Sequence, residues 1–142
     1  MNTIDHNTAY ELSKVFPVTQ EKLFNAFIDE TTLKKIWGVS SITIDARPGG
    51  HARAALEFDN ENWDFTITYK EVIPNEKLKW IVHFDRFPGK EILATLWFRK
   101  TTGGSEVTVR QENFETSQER DANRQAWERT LQTLEDLLHP SS

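Results

Sequence analysis

The chain reads as an α+β protein: a curved antiparallel sheet of about seven strands around one long C-terminal helix, with two short helices after the first strand. Three observations carry this. Six stretches between residues 41 and 114 alternate apolar and polar residues with a period of two and are separated by turn residues. Ala126, Trp127, Thr130, Leu131, Leu134, Leu137 and Leu138 recur at steps of three and four, placing one apolar stripe of roughly 140° on a helix from Thr116 to Leu138. A third such pattern, between Thr19 and Trp37, is short and interrupted.

Met1 to Asn7 is polar and expected to be loose. Thr8 to Phe16 alternates and reads as a strand that Pro17 ends. Thr19 caps a helix carrying Leu23, Phe24, Phe27 and Ile28. Asp29 caps a second with Leu33, Ile36 and Trp37, and Gly38 ends it. Ser41 to Ala46, His51 to Phe58, Trp63 to Lys70, Leu78 to Phe84, Glu91 to Arg99 and Glu106 to Phe114 follow as strands. Arg47-Pro48-Gly49-Gly50, Asp59 to Asn62, Pro74-Asn75-Glu76, Phe87-Pro88-Gly89 and Thr102 to Ser105 turn the chain between them. Thr116, with Glu119 three residues on, has the capping-box spacing for the long helix, and Pro140 stops it. Sequential antiparallel strands keep one face dry, and a single apolar helix stripe fits that face. One domain is expected over 1–142, ordered from about 8 to 138, with no repeats or linkers.

Composition narrows the function. The 142 residues suffice for a core, and five Trp demand a large interior volume. No Cys is present, which excludes disulfides, thiolate metal sites and a Cys nucleophile and fits a cytoplasmic setting. No apolar run is long enough to span a membrane, and no signal peptide is seen. The net charge of −5, without a basic stripe, argues against a nucleic-acid partner.

The helix stripe changes character. Followed back from Ala126, it meets Asn123 and Glu119. Polar groups facing a solid core without partners would cost ~1–3 kcal/mol each. Either the first turns overhang the sheet edge and see water, or they line a solvent-reached cavity. By alternation Gln111 and Asn113 face the same way as Val107 and Val109. Gln111, Asn113, Glu119 and Asn123 therefore converge as a candidate polar mouth for a mostly apolar ligand. Trp37, Trp63, Phe65, Tyr69, Trp80, Phe84, Trp97 and Trp127 are candidate cavity-wall residues, against the alternative of plain core packing.

Catalytic signals are weak. His51 and Glu119 are the two acid/base candidates, although His51 and Arg53 also fit a solvated strand face with an Arg53–Glu57 pair. Which face of 51–58 is interior stays open, because small Ala residues blur the pattern. His83 and Asp85 share a strand face, but no third ligand stands near, so no metal or cofactor is expected. The Gly-rich stretches lack the Lys-Ser/Thr of a phosphate loop, and no nucleophile elbow is present.

Several stretches resemble the START-like (SRPBCC) superfamily. Phe16-Pro17-Val18 followed by Leu23-Phe24-Asn25-Ala26-Phe27 resembles its opening. Leu33 to Gly38, Asp45 to Gly50, Val72 to Leu78, Val107 to Phe114 and the helix with Trp127 are similar to the branch related to the activator of Hsp90 ATPase. The likeness covers about residues 9–138. It implies a helix-grip fold with a cavity between long helix and sheet, binding a hydrophobic or amphipathic small molecule. The alternatives it implies are a chaperone ATPase activator, or a cyclase or hydrolase of a small hydrophobic substrate. No shared catalytic motif carries over, so binding is favoured over catalysis; a monomer or homodimer is equally compatible. Four positions depart from the branch. Ile36 precedes Trp37 where a second Trp is common. Ile67 and Ala126 stand where Gly is frequent, and Gln111 where His is frequent. Added side chains at the two Gly positions fill interior space, and the missing His removes a proton-transfer group.

Overall fold

The computed structural model describes residues 9–138. In chain order the elements are β1 (Ala9–Phe16), α1 (Gln20–Ala26), α2 (Glu30–Trp37), β2 (Ser41–Ile44), β3 (His51–Ala55), β4 (Glu57–Phe58), β5 (Glu61–Asn62), β6 (Phe65–Ile73), β7 (Lys77–Phe84), β8 (Ile92–Thr101), β9 (Gly104–Glu112) and α3 (Ser117–Leu138). Seven strands make one antiparallel sheet ordered β1-β9-β8-β7-β6-β3-β2, and β4 and β5 form a separate small ribbon. The first residues and Pro140 lie outside the described part.

The helix ends follow from local chemistry. Thr19 Oγ1 accepts the Lys22 N–H at 3.1 Å, and Asp29 Oδ2 accepts the Thr32 N–H at 2.9 Å. Gly38 takes a φ of 70°, the left-handed conformation that closes a helix at little cost only without a Cβ. At α3 the Glu119 N–H donates to Thr116 Oγ1 at 3.1 Å. The Glu119 carboxylate reaches back to the Glu115 N–H at 3.0 Å, one residue before the cap.

The interior lies between the sheet and α3. Val107 and Val109 of β9, Leu96 and Phe98 of β8, and Leu78 and Trp80 of β7 are buried on the sheet's inner face. Trp127, Thr130, Leu131 and Leu134 cover them from α3. The short helices plug one end: Phe24 of α1 and Phe27 just after it pack on Phe98, and Phe27 stacks on Trp127 at 6.2 Å.

Three expectations need correction. The stretch 51–58 is not one strand. Asp59 and Asn60 take φ of 57° and 61°, and Asp64 Oδ1 accepts the Leu56 N–H, so the chain peels off as the β4–β5 ribbon and leaves Phe58 exposed. On β3 the interior face is that of Ala52 and Ala54. His51 and Arg53 point outward, and Arg53 pairs with Asp85 (Nη1–Oδ1, 2.8 Å) rather than Glu57. Leu137 belongs to the apolar stripe by spacing, yet it is 41% exposed because α3 runs past the covered sheet face there.

Leu134, fully buried, and Leu137 separate these faces experimentally. Leu134→Ala is expected to destabilise by ~2–5 kcal/mol and Leu137→Ala by less than ~0.5 kcal/mol in denaturant unfolding.

Candidate functional site

Beneath the first half of α3 the core does not close. A cavity of about 160 Å³ remains between helix and sheet. Its floor is apolar: Phe65 and Ile67 of β6, Trp80, Val82 and Phe84 of β7, and Ile92 of β8. Alternation places these side chains, since each strand turns every second residue inward. Trp37 at the end of α2 walls the back, and Leu56 stands at the side. Asn123, Ala126, Trp127 and Thr130 form the roof, one helical face over two turns.

Gln111 supplies the polar group of the floor. On β9 the inward residues run Ser105, Val107, Val109, Gln111, all buried, with Gln111 only 2% exposed. Its amide borders the cavity and makes no side-chain hydrogen bond to another described residue, and it is reached from the cavity: among the described residues the buried side-chain atom without a partner is Thr101 Oγ1, not the Gln111 amide. Opposite it in register stands Tyr10 of β1, whose hydroxyl donates to Asn123 Oδ1 on α3. That bond fixes the Asn123 carboxamide with its carbonyl on Tyr10, leaving the amide nitrogen free. Burial pushes the Tyr10 hydroxyl pKa well above its ordinary value near 10; Arg124 opposes the shift and Glu128 adds to it. Burial also raises Tyr69, with Asp45 adding to it.

The cavity brings together Trp37, Phe65, Trp80, Phe84 and Trp127 from the candidate wall, and Gln111 and Asn123 from the candidate mouth. The remaining candidates lie elsewhere. Trp63 is outside the cavity, packed on Phe84 and Phe87 with the Arg86 guanidinium 4.2 Å above its ring. Tyr69 is core, edge-on to Trp80 at 6.0 Å but off the cavity lining. Trp97 alternates with Leu96 and Phe98 and is 39% exposed on the outer sheet face. Asn113 follows the end of β9 with a φ of 81°, which breaks the alternation. It sits with Ile81, Glu91 and Leu93 in a groove on the outer side, its Nδ2 donating to the Glu91 carbonyl at 2.8 Å. Glu119 overhangs the sheet and holds the Lys90 ammonium. The Lys90 hydrogen bond lowers the Glu119 pKa against the opposing effect of desolvation, aided by the Glu115 N–H. Desolvation pulls Lys90 down, but Glu119 and Glu115 outweigh it and raise it.

The acid/base candidates are thus both outside the cavity: Glu119 in its ion pair, and His51 exposed beside Thr68. None of the residues lining the cavity is ionisable. Among the described residues no group of three His, Asp or Glu could hold a metal ion; His83 contacts Glu91 and Asp85 pairs with Arg53. Sequence reasoning missed Leu56, Ile67, Val82, Ile92, Ala126 and Thr130. Most share a face with a chosen aromatic, so alternation and helical spacing held the signal, but weight went to ring size.

A seven-stranded antiparallel sheet gripping a C-terminal helix over an internal cavity defines a START-like, helix-grip protein. The family model for "Activator of Hsp90 ATPase homolog 1-like protein" matches residues 17–139, and the chain belongs to that family. Solved structures share the fold. Protein CV1439 from Chromobacterium violaceum superposes with a TM-score of 0.84 at 22% identity, covering 94% of this chain and 99% of that one. Protein NE0264 from Nitrosomonas europaea gives 0.78 at 22% identity, covering 95% and 96%. DynU16, from the dynemicin biosynthetic locus, gives 0.79 at 15% identity over 94% of this chain and 48% of its own. No protein with a curated description matches the sequence. Among the described residues no helix is long and apolar enough to cross a membrane.

Because both tyrosines are raised by burial, the folded protein is expected to show no tyrosinate absorbance step near pH 10. The sign follows from proton linkage. The stability is fully present below the unfolded pKa near 10 and falls as pH rises above it, so alkaline unfolding and tyrosine ionisation should coincide. A Tyr10→Phe variant should leave a single ionising tyrosine.

Proposed function

We propose that this chain binds a hydrophobic or amphipathic small molecule in the cavity between α3 and the sheet. The observation that carries the reading is the Gln111 amide on the lining of a cavity walled by aromatic rings, without a side-chain partner among the described residues and reached only from that cavity. An apolar ligand that covered the amide without pairing it would leave it unsatisfied, at ~1–3 kcal/mol, so a ligand that hydrogen-bonds to it is favoured. The mixture of apolar walls with a few convergent polar groups is the usual make-up of a ligand pocket. Turnover finds less support, since both candidate acid/base groups stand outside the cavity. The family description supports a second reading, stimulation of an Hsp90-type chaperone ATPase.

Two measurements separate these readings. A ligand present at a hundredfold excess over its Kd adds ~2.7 kcal/mol, which raises the melting temperature by roughly 5–10 °C for a chain of this size. With Trp37, Trp80 and Trp127 on the lining, the same ligand should shift tryptophan emission saturably. Uniform silence across a panel of small hydrophobic compounds would overturn the binding reading. In a coupled ATPase assay, saturating protein is expected to leave chaperone turnover unchanged; a several-fold rise would favour the second.

A further inference from the structure

We propose that the site is built for an uncharged ligand with a single aromatic ring and a hydrogen-bond acceptor, such as an aryl ketone, aldehyde, ester or amide. The inference rests on the binding reading above and narrows it by size, charge and polar inventory.

The first constraint is volume. The cavity measures about 160 Å³. An apolar cavity of about 150 Å³ accommodates one benzene ring, and pockets for drug-sized molecules run from ~300 Å³ upward. Ile67 in the floor and Ala126 on the exposed rim of the roof both line this space. A fatty chain or a fused multi-ring compound exceeds this volume and would have to extend through the open side of the site.

The second constraint is charge. With no ionisable side chain on the lining, a carboxylate or ammonium entering the cavity would lose its hydration and gain no counter-charge. A neutral ligand pays no such penalty.

The third is the balance of donors and acceptors. Asn123 Oδ1 already accepts from Tyr10, so this residue offers its two amide N–H groups. The indoles of Trp37, Trp80 and Trp127 are donors only, and none of them bonds to another described residue. Gln111 and Thr130 can each donate or accept. Donors therefore predominate, and an acceptor satisfies more of them than a donor would.

Ring geometry points the same way. Trp37 is edge-on to Phe65, Trp80 and Trp127, with centroids at 5.9, 6.1 and 6.3 Å and planes at 66°, 72° and 78°. A further ring entering this herringbone meets both faces and edges, the arrangement aromatic pairs prefer.

Calorimetric titration of the whole chain with acetophenone, benzoate, toluene and laurate tests the proposal. Acetophenone is expected to bind one to one, about tenfold tighter than toluene for one added hydrogen bond, with benzoate weaker still. The substitution that removes the donor to the ketone, Gln111→Leu or Asn123→Leu, should weaken acetophenone about tenfold, to the affinity of toluene, and leave toluene unchanged. Asn123, being only half-buried, serves should Gln111→Leu fail to fold. Ala126→Phe, on the exposed rim of α3, should abolish binding of both while circular dichroism shows a native melt. Benzoate or laurate binding tighter than acetophenone would overturn this inference and leave the broader binding reading standing. Absence of binding by all four, and by larger hydrophobic compounds, would overturn both.

Discussion

A carboxamide held among aromatic rings is the constraint on which the rest of this structure turns. Strand alternation carries Gln111 to the inner face of β9, an interior strand paired on both sides, so it cannot swing to solvent. Had α3 closed tightly over it, the amide would have been buried without a partner, at a cost the fold would have to offset elsewhere. The helix instead presents Asn123, Ala126 and Thr130 at that level, small or polar side chains that leave space. One turn further along, Leu131 and Leu134 are buried against the core on the same side of the helix. The cavity is the junction between these two halves of one helix.

Several contacts hold the junction open. Tyr10 spans from β1 to Asn123 and keeps the helix at a set height above the sheet edge. Lys90, between β7 and β8, ties down the first turn of α3 through Glu119 and Glu115. At the other end Lys14 meets Glu135 at 3.3 Å. These exposed pairs contribute little stability singly, but together with the aromatic plug from α1 and α2 they fix the helix at both ends. The resulting space is small and uncharged.

Much of this was legible in the sequence. Period-two alternation locates all seven strands of the main sheet to within a few residues, and the 3.6-residue stripe locates α3. The same alternation put Gln111 inside, and helical spacing put Asn123 over it. The failures have local causes. Alternation groups Asn113 with Gln111 because a repeating pattern says nothing about where it stops; a left-handed φ at that residue turns it outward. Spacing points Glu119 inward, but a helix that outruns its sheet has no inside at its first turn, and Lys90 from a distant loop pairs with the carboxylate. Ring size alone marks Trp63, Tyr69 and Trp97 as wall candidates in the sequence. Whether a large ring lines a void, fills the core or covers an outer face depends on which element lies across from it, and that is a tertiary fact.

The most direct measurement of the account is the side-chain NH₂ signals of Gln111 and Asn123 in a nitrogen-resolved NMR spectrum during titration with a small aryl ketone. Both pairs are expected to move together and saturably, while the Asn113 pair on the outer face stays still. Stationary Gln111 and Asn123 signals at ligand concentrations that perturb other residues would contradict the claim that this amide marks a binding site.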